Sequence, residues 1–91
     1  AMTKISDKKV LITGGANGIG KLLGEKCLKE GASELVIWDI NEKNLQATTE
    51  EFVKKGFTVH PYLVDVSDLE DIKRAATLTL SEVGRIDILF N

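Results

Sequence analysis

Val10-Leu11-Ile12-Thr13-Gly14-Gly15-Ala16-Asn17-Gly18-Ile19-Gly20 is the stretch on which the rest of the chain depends. A short apolar run passes into a glycine-rich turn, and a helical pattern follows at once. This is the strand–turn–helix context in which a turn can cradle a pyrophosphate. The first N–H groups of a helix lack partners and carry the positive end of the helix dipole, so they attract an anion. Gly14 lets the chain turn sharply out of the strand, Gly18 removes a Cβ where backbone must approach phosphate, and Gly20 lets helix and strand pack closely. The alternative is a loop with ordinary turn glycines.

The flanking pattern repeats the same theme. Strand one covers Lys9–Thr13 and is apolar without alternation, as a strand covered on both faces should be. A helix follows over Gly18–Glu30, with Ile19, Leu22, Leu23 and Cys27 as its apolar stripe and Gly31 as its C-terminal cap. Strand two is Glu34–Ile40, with Asp39 at its carboxyl end. Asn41 is a plausible N-cap for a second helix running to about Lys55, whose inward face is Leu45, Thr48 or Thr49, Phe52 and Val53. Strand three is about Thr58–Leu63, reaching Val64, and Pro61 within it suits an edge strand or a bulge. Ser67 or Asp68 caps a third helix to about Val83, with Leu69, Ile72, Ala75, Ala76, Thr79 and Val83 as its packing face. Strand four is Ile86–Phe90.

The order β-α-β-α-β-α-β implies parallel pairing with right-handed crossovers. The expected fold is α/β: a partial, doubly wound Rossmann sheet of order 3-2-1-4, with helices on both faces. Residues 1–91 form one domain. Net charge is −2, and the basic residues are scattered, which leaves no nucleic-acid footprint. No apolar run would span a bilayer. The one cysteine, Cys27, allows no disulfide within the chain, reads as a buried thiol and fits cytoplasmic residence. Ala1 ahead of Met2 reads as a remnant of cloning.

Several polar residues fall where such a sheet places its ligands. Asp39 lies nineteen positions after Gly20, near the roughly 20 expected of an acidic residue that accepts from an adenosine ribose. There it would bond the 2′- and 3′-hydroxyls and repel a 2′-phosphate. Ile40 and Asn17 offer no positive charge to such a phosphate, so the cofactor expected is NAD rather than NADP. The competing reading of Asp39 is a turn or helix-capping aspartate. Asp65-Val66 end strand three, where Asp65 could equally serve the following turn or cap. His60 reads as a structural or surface residue, and Trp38 as core packing or a place beside an adenine pocket.

Thr13-Gly14-x-x-x-Gly18-x-Gly20, Asp39, Asp65 and Asp87-Ile88-Leu89-Phe90-Asn91 together resemble the classical short-chain dehydrogenase/reductase family over essentially the whole chain. The resemblance implies hydride transfer between a nicotinamide and an alcohol or carbonyl. It implies cofactor contacts at Gly14, Ala16, Asn17, Gly18, Ile19, Gly20, Asp39 and Ile40. It also implies an adenine contact at Asp65-Val66, and a place beside the cofactor for Asn91, the first residue of the family's Asn-Asn-Ala-Gly. Trp38-Asp39-Ile40-Asn41 is similar to the branch acting on hydroxysteroids, retinoids and related lipid alcohols. The family's catalytic Ser, Tyr-x-x-x-Lys and Asn are not in this sequence; Tyr62 is followed four residues later by Val66, not Lys. The chain is therefore expected to be the N-terminal cofactor-binding portion of a dehydrogenase, inactive alone and prone to self-association along strand four or its helix faces. The alternative is a stand-alone dinucleotide-binding or interaction module without hydride chemistry.

Overall fold

Two strands buried on both faces hold the molecule together. In the computed structural model, which describes residues 4–91, β1 (Lys9–Thr13) and β2 (Glu34–Asp39) bury every interior residue. Ala1, read above as a cloning remnant, lies outside the described residues. β3 (Val59–Leu63) pairs with β2, and β4 (Ile88–Phe90) pairs with β1. All pairings are parallel, in the order β3-β2-β1-β4. Pro61 sits in the edge strand β3, where its missing N–H costs no ladder bond on the open side.

Alternate residues of each strand go to opposite layers. Val10, Ile12, Leu35 and Ile37 face α1 (Gly18–Lys29) and α2 (Glu42–Lys54), meeting Cys27, Leu28, Leu45 and Phe52. Leu11, Val36 and Trp38 face α3 (Leu69–Glu82), meeting Val64, Ala75 and Val83. The Trp38 indole N–H donates to the buried Thr79 hydroxyl at 3.2 Å. Between the first two helices runs a chain of ion pairs, Lys21–Glu51 at 2.8 Å with Lys55 joining Glu51 to Glu25.

Three helix faces differ from the expected stripes. Ile19 and Leu22 are largely exposed, and α1 instead packs through Leu23, Gly24, Cys27 and Leu28. The reason is Gly24. A Cβ there would lie 3.0 Å from Leu35 Cδ2, so the helix settles on the sheet along its glycine side rather than its bulkiest side. Val53 of α2 and Leu69 and Ala76 of α3 are likewise exposed, because Phe52, Ala75 and Thr79 already fill the line of contact. Element ends shift slightly too: Ile40 and Ile86 lie outside β2 and β4, Glu30 caps α1, and Asp68 rather than Ser67 caps α3.

Candidate functional site

All four strands run the same way, so their carboxyl ends share one rim. Gly14 leaves β1 at φ +71°, and its N–H donates to the Trp38 carbonyl at 2.7 Å. Gly18 opens α1 at φ +56°. A Cβ on either would meet nothing within 4 Å, so the outer side of the turn is open. Gly20 works differently from expectation: a Cβ there would drive into the Gly14 carbonyl, so this glycine seats the helix on the turn. Close packing on the strands belongs to Gly24.

The first bond of α1 runs from the Lys21 N–H to the Asn17 carbonyl at 3.2 Å. The N–H groups of Gly18, Ile19 and Gly20 stand ahead of it, as the first donors of a helix do. Asn17 is the N-cap but makes no side-chain capping bond, and the first turn holds no acidic residue. Asn17 and Ile19 are exposed, whereas Ala16 is buried. The open backbone donors and the helix dipole suit an anion at this corner.

Asp39 stands at the end of β2, directly across from the turn. One carboxylate oxygen accepts the Ala16 N–H at 3.0 Å, and the other accepts the Asn41 N–H at 2.9 Å. A carboxylate offers about four lone-pair sites, so two remain for hydroxyl donors. Asp39 therefore props the glycine turn, a duty that its spacing alone does not announce.

Asp65 lies past β3, beside Val64, whose N–H donates to the Asp39 carbonyl at 2.9 Å. One Asp65 oxygen accepts both the Ser67 hydroxyl, at 2.6 Å, and the Ser67 N–H, at 2.9 Å. These bonds, hydroxyl first, hold its carboxyl below the usual range. The Asp65 N–H donates to Asp71 in the first turn of α3 at 2.7 Å. The turn reading of Asp65 is thus realised, with one oxygen left outside these bonds.

Between the ends of β2 and β3 lies an open cleft of about 180 Å³, lined by Gly14, Trp38, Asp39, Ile40, Val64, Asp65, Val66 and Ser67. Its walls are largely apolar, its charged groups are the Asp39 and Asp65 carboxylates, and neither Lys nor Arg lines it. An aromatic base with a hydroxylated sugar matches that chemistry, and the glycine turn beside it suits the linked phosphates. The residues present thus fit a dinucleotide. Asn91, past β4, accepts from the Thr13 hydroxyl at 2.7 Å and borders a second groove with Val66 and Leu89. That groove adjoins the Asp39 cleft, sharing Trp38 and Val66 with it, and Asn91 itself does not line the cleft.

Tyr62 is not placed for acid–base work. Its hydroxyl donates to Glu82 at 2.6 Å, and burial, reinforced by that carboxylate, pushes its pKa up to about 12. A general acid–base group operates best near ambient pH. His60 pairs with Glu34 at 2.7 Å at the far end of the sheet. Cys27 is buried, and desolvation raises its thiol pKa.

One contact went unread in the sequence. The Thr48 hydroxyl donates to the Ala16 carbonyl at 2.7 Å from inside the core. A threonine on the apolar stripe of α2 was its only signal.

The sequence pattern of the family described as short chain dehydrogenase matches residues 8–91. The chain is 39% identical to human "Short-chain dehydrogenase/reductase 3" over 87 residues, which is 96% of this chain and 29% of that protein. It is equally 39% identical to rat "Estradiol 17-beta-dehydrogenase 11", with the same coverage. Among solved structures, NAD+-bound xylitol dehydrogenase superposes with a TM-score of 0.88 at 26% identity, over 97% of this chain and 34% of that one. Levodione reductase superposes at 0.86 with 33% identity, over 94% and 34%. The chain belongs to the short-chain dehydrogenase family. It spans less than a third of the length of the curated relatives it matches.

Proposed function

We propose that this chain holds the adenosine and pyrophosphate of NAD in an oxidoreductase that interconverts an alcohol and a carbonyl by hydride transfer. The observation that carries the reading is the Asp39 cleft: an acidic, cation-free pocket set against an open glycine turn and helix start. Gly14, Ala16, Asn17, Gly18, Ile19 and Gly20 present backbone to the pyrophosphate. Asp39 takes the ribose hydroxyls, Ile40, Asp65 and Val66 flank the adenine, and Asn91 steadies the end of β1 through Thr13. NAD is preferred because a 2′-phosphate would meet the Asp39 carboxylate with no cation to offset it.

None of these residues is catalytic, and the 91 residues contain no Tyr-x-x-x-Lys, so the chain alone is inactive in hydride transfer. When bound, the nicotinamide would accept the hydride from the alcohol or return it to the carbonyl; this chain binds and orients. A lipid alcohol is the proposed substrate class, supported by the similarity to a relative named for estradiol. Cytoplasmic residence and self-association through β4 complete the proposal; Leu89 of that strand is 59% exposed.

Calorimetric titration with NAD and NADP tests the reading, on the wild type and on Asp39→Asn, which keeps an acceptor for one of the two N–H groups. The expected result is at least tenfold preference for NAD, reduced to less than threefold in Asp39→Asn. Equal affinities in the wild type, or no binding of either nucleotide, would sink it.

A further inference from the structure

Thr48 and Thr79 are the two polar residues of the described core, 2% and 4% exposed. Thr79 serves Trp38. Thr48 serves the glycine turn, and its bond closes a ring. The Ala16 N–H goes to Asp39, whose second oxygen takes the Asn41 N–H. Asn41 caps α2 by accepting the Asn44 N–H at 2.8 Å, and α2 carries Thr48 back to the Ala16 carbonyl. Ala16 is thus held on both sides, by a strand end through its N–H and by a helix through its carbonyl.

The consequence follows from peptide geometry. The Ala16 carbonyl and the Asn17 N–H share one planar, trans unit and point in opposite directions. With the carbonyl held toward α2, the Asn17 N–H must point away from α2. That N–H directly precedes the open donors of Gly18, Ile19 and Gly20. Asn17 supplies no side-chain cap of its own, and Gly18 has a backbone free to rotate, so local sequence does little to fix this peptide. A valine at position 48 keeps the β-branched shape and exchanges the hydroxyl for a methyl. The hydroxyl is needed for the bond, not for the packing.

We infer that Thr48 is a positioning residue: it sets the Ala16–Asn17 peptide, and with it the row of N–H donors, in the orientation that receives the cofactor's pyrophosphate. The ligand in this inference rests on the proposed function; the effect on the turn rests on geometry alone.

The test uses 15N-labelled wild-type chain, Thr48→Val and Thr48→Ser. Amide exchange is followed without ligand, and ADP and adenosine are titrated separately. The Ala16 N–H lies in the neighbouring peptide and is held in the same ring, so in Thr48→Val it should exchange at least tenfold faster while Ile37 in β2 stays within twofold. ADP should bind about tenfold more weakly and adenosine within twofold of wild type, because only ADP uses the turn. Thr48→Ser should restore both. Unchanged Ala16 exchange in Thr48→Val overturns the inference, as does an ADP loss matched by an equal adenosine loss. If the wild type binds no ADP, the NAD reading falls, and Ala16 exchange alone decides the role of Thr48. If Thr48→Val fails to fold, Thr48→Ala is compared with Thr48→Ser, and equal Ala16 exchange in those two overturns the inference.

Discussion

The indole N–H of Trp38 donates to the hydroxyl of Thr79 at 3.2 Å, tying the second strand to the third helix inside the core. Trp38 is 7% exposed, so an indole N–H without this partner would have little water to turn to. Thr79→Val keeps the volume and removes the acceptor. It should destabilise the chain by about 1–3 kcal/mol, the usual cost of a buried unsatisfied donor. Urea denaturation checks this, with Thr79→Ser expected to recover most of the loss.

Gly18 and Gly20 should answer differently to alanine. At Gly18 the penalty is the left-handed backbone alone, roughly 1–2 kcal/mol. At Gly20 the added methyl meets the Gly14 carbonyl, a backbone atom that cannot step aside. Gly20→Ala should cost more, about 1–3 kcal/mol from overpacking, and should also displace the turn. Paired denaturation curves and NAD titrations separate the two; equal losses would contradict the geometry.

Stability should fall at both ends of the pH scale through different groups. The Tyr62 pKa is raised from 10.0 to about 12. The folded chain therefore holds this proton more tightly than the unfolded one. The contribution is intact below pH 10 and is lost as pH rises toward 12. Tyr62→Phe should flatten that alkaline decline. At the acid end, the bond from Lys55 holds Glu25, and that from Lys21 holds Glu51, below the ordinary 4.5. Their contribution is present above that value and disappears as pH falls through the lowered ones. Glu51→Gln should weaken the acid decline in a series of urea midpoints.

Cys27 should be inert while the chain is folded. It is 3% exposed, and burial raises its thiol pKa, so the thiolate that reacts is scarce and shielded. Alkylation by iodoacetamide should be slow in buffer and at least a hundredfold faster in denaturing urea.

The sheet was legible because its central strands are continuous apolar runs and its helices end on glycines. Gly31, Gly56 and Gly84 each adopt the positive φ expected of a helix-ending residue. The rim was legible because Asp39 and Asp65 directly follow strand patterns. Helix orientation was harder. Counting apolar residues favoured Ile19 and Leu22, whereas the contact line is set by the absence of a side chain at Gly24. Periodicity sees bulk and misses a gap. The bond from Thr48 was hidden for a related reason: its partner is a backbone carbonyl, which carries no letter in the sequence.

The pairing of β4 with β1 sets an order of assembly. The cleft needs only the chain from Lys9 to Ser67, where β2 pairs with β1 and β3 with β2. The Thr13–Asn91 and Lys9–Asp87 bonds instead close a loop of 78 residues. Longer loops lose more chain entropy on closure, and distant pairings slow folding. The half of the rim that holds Asp39 can therefore form during synthesis, ahead of the strand that brings Asn91 to it.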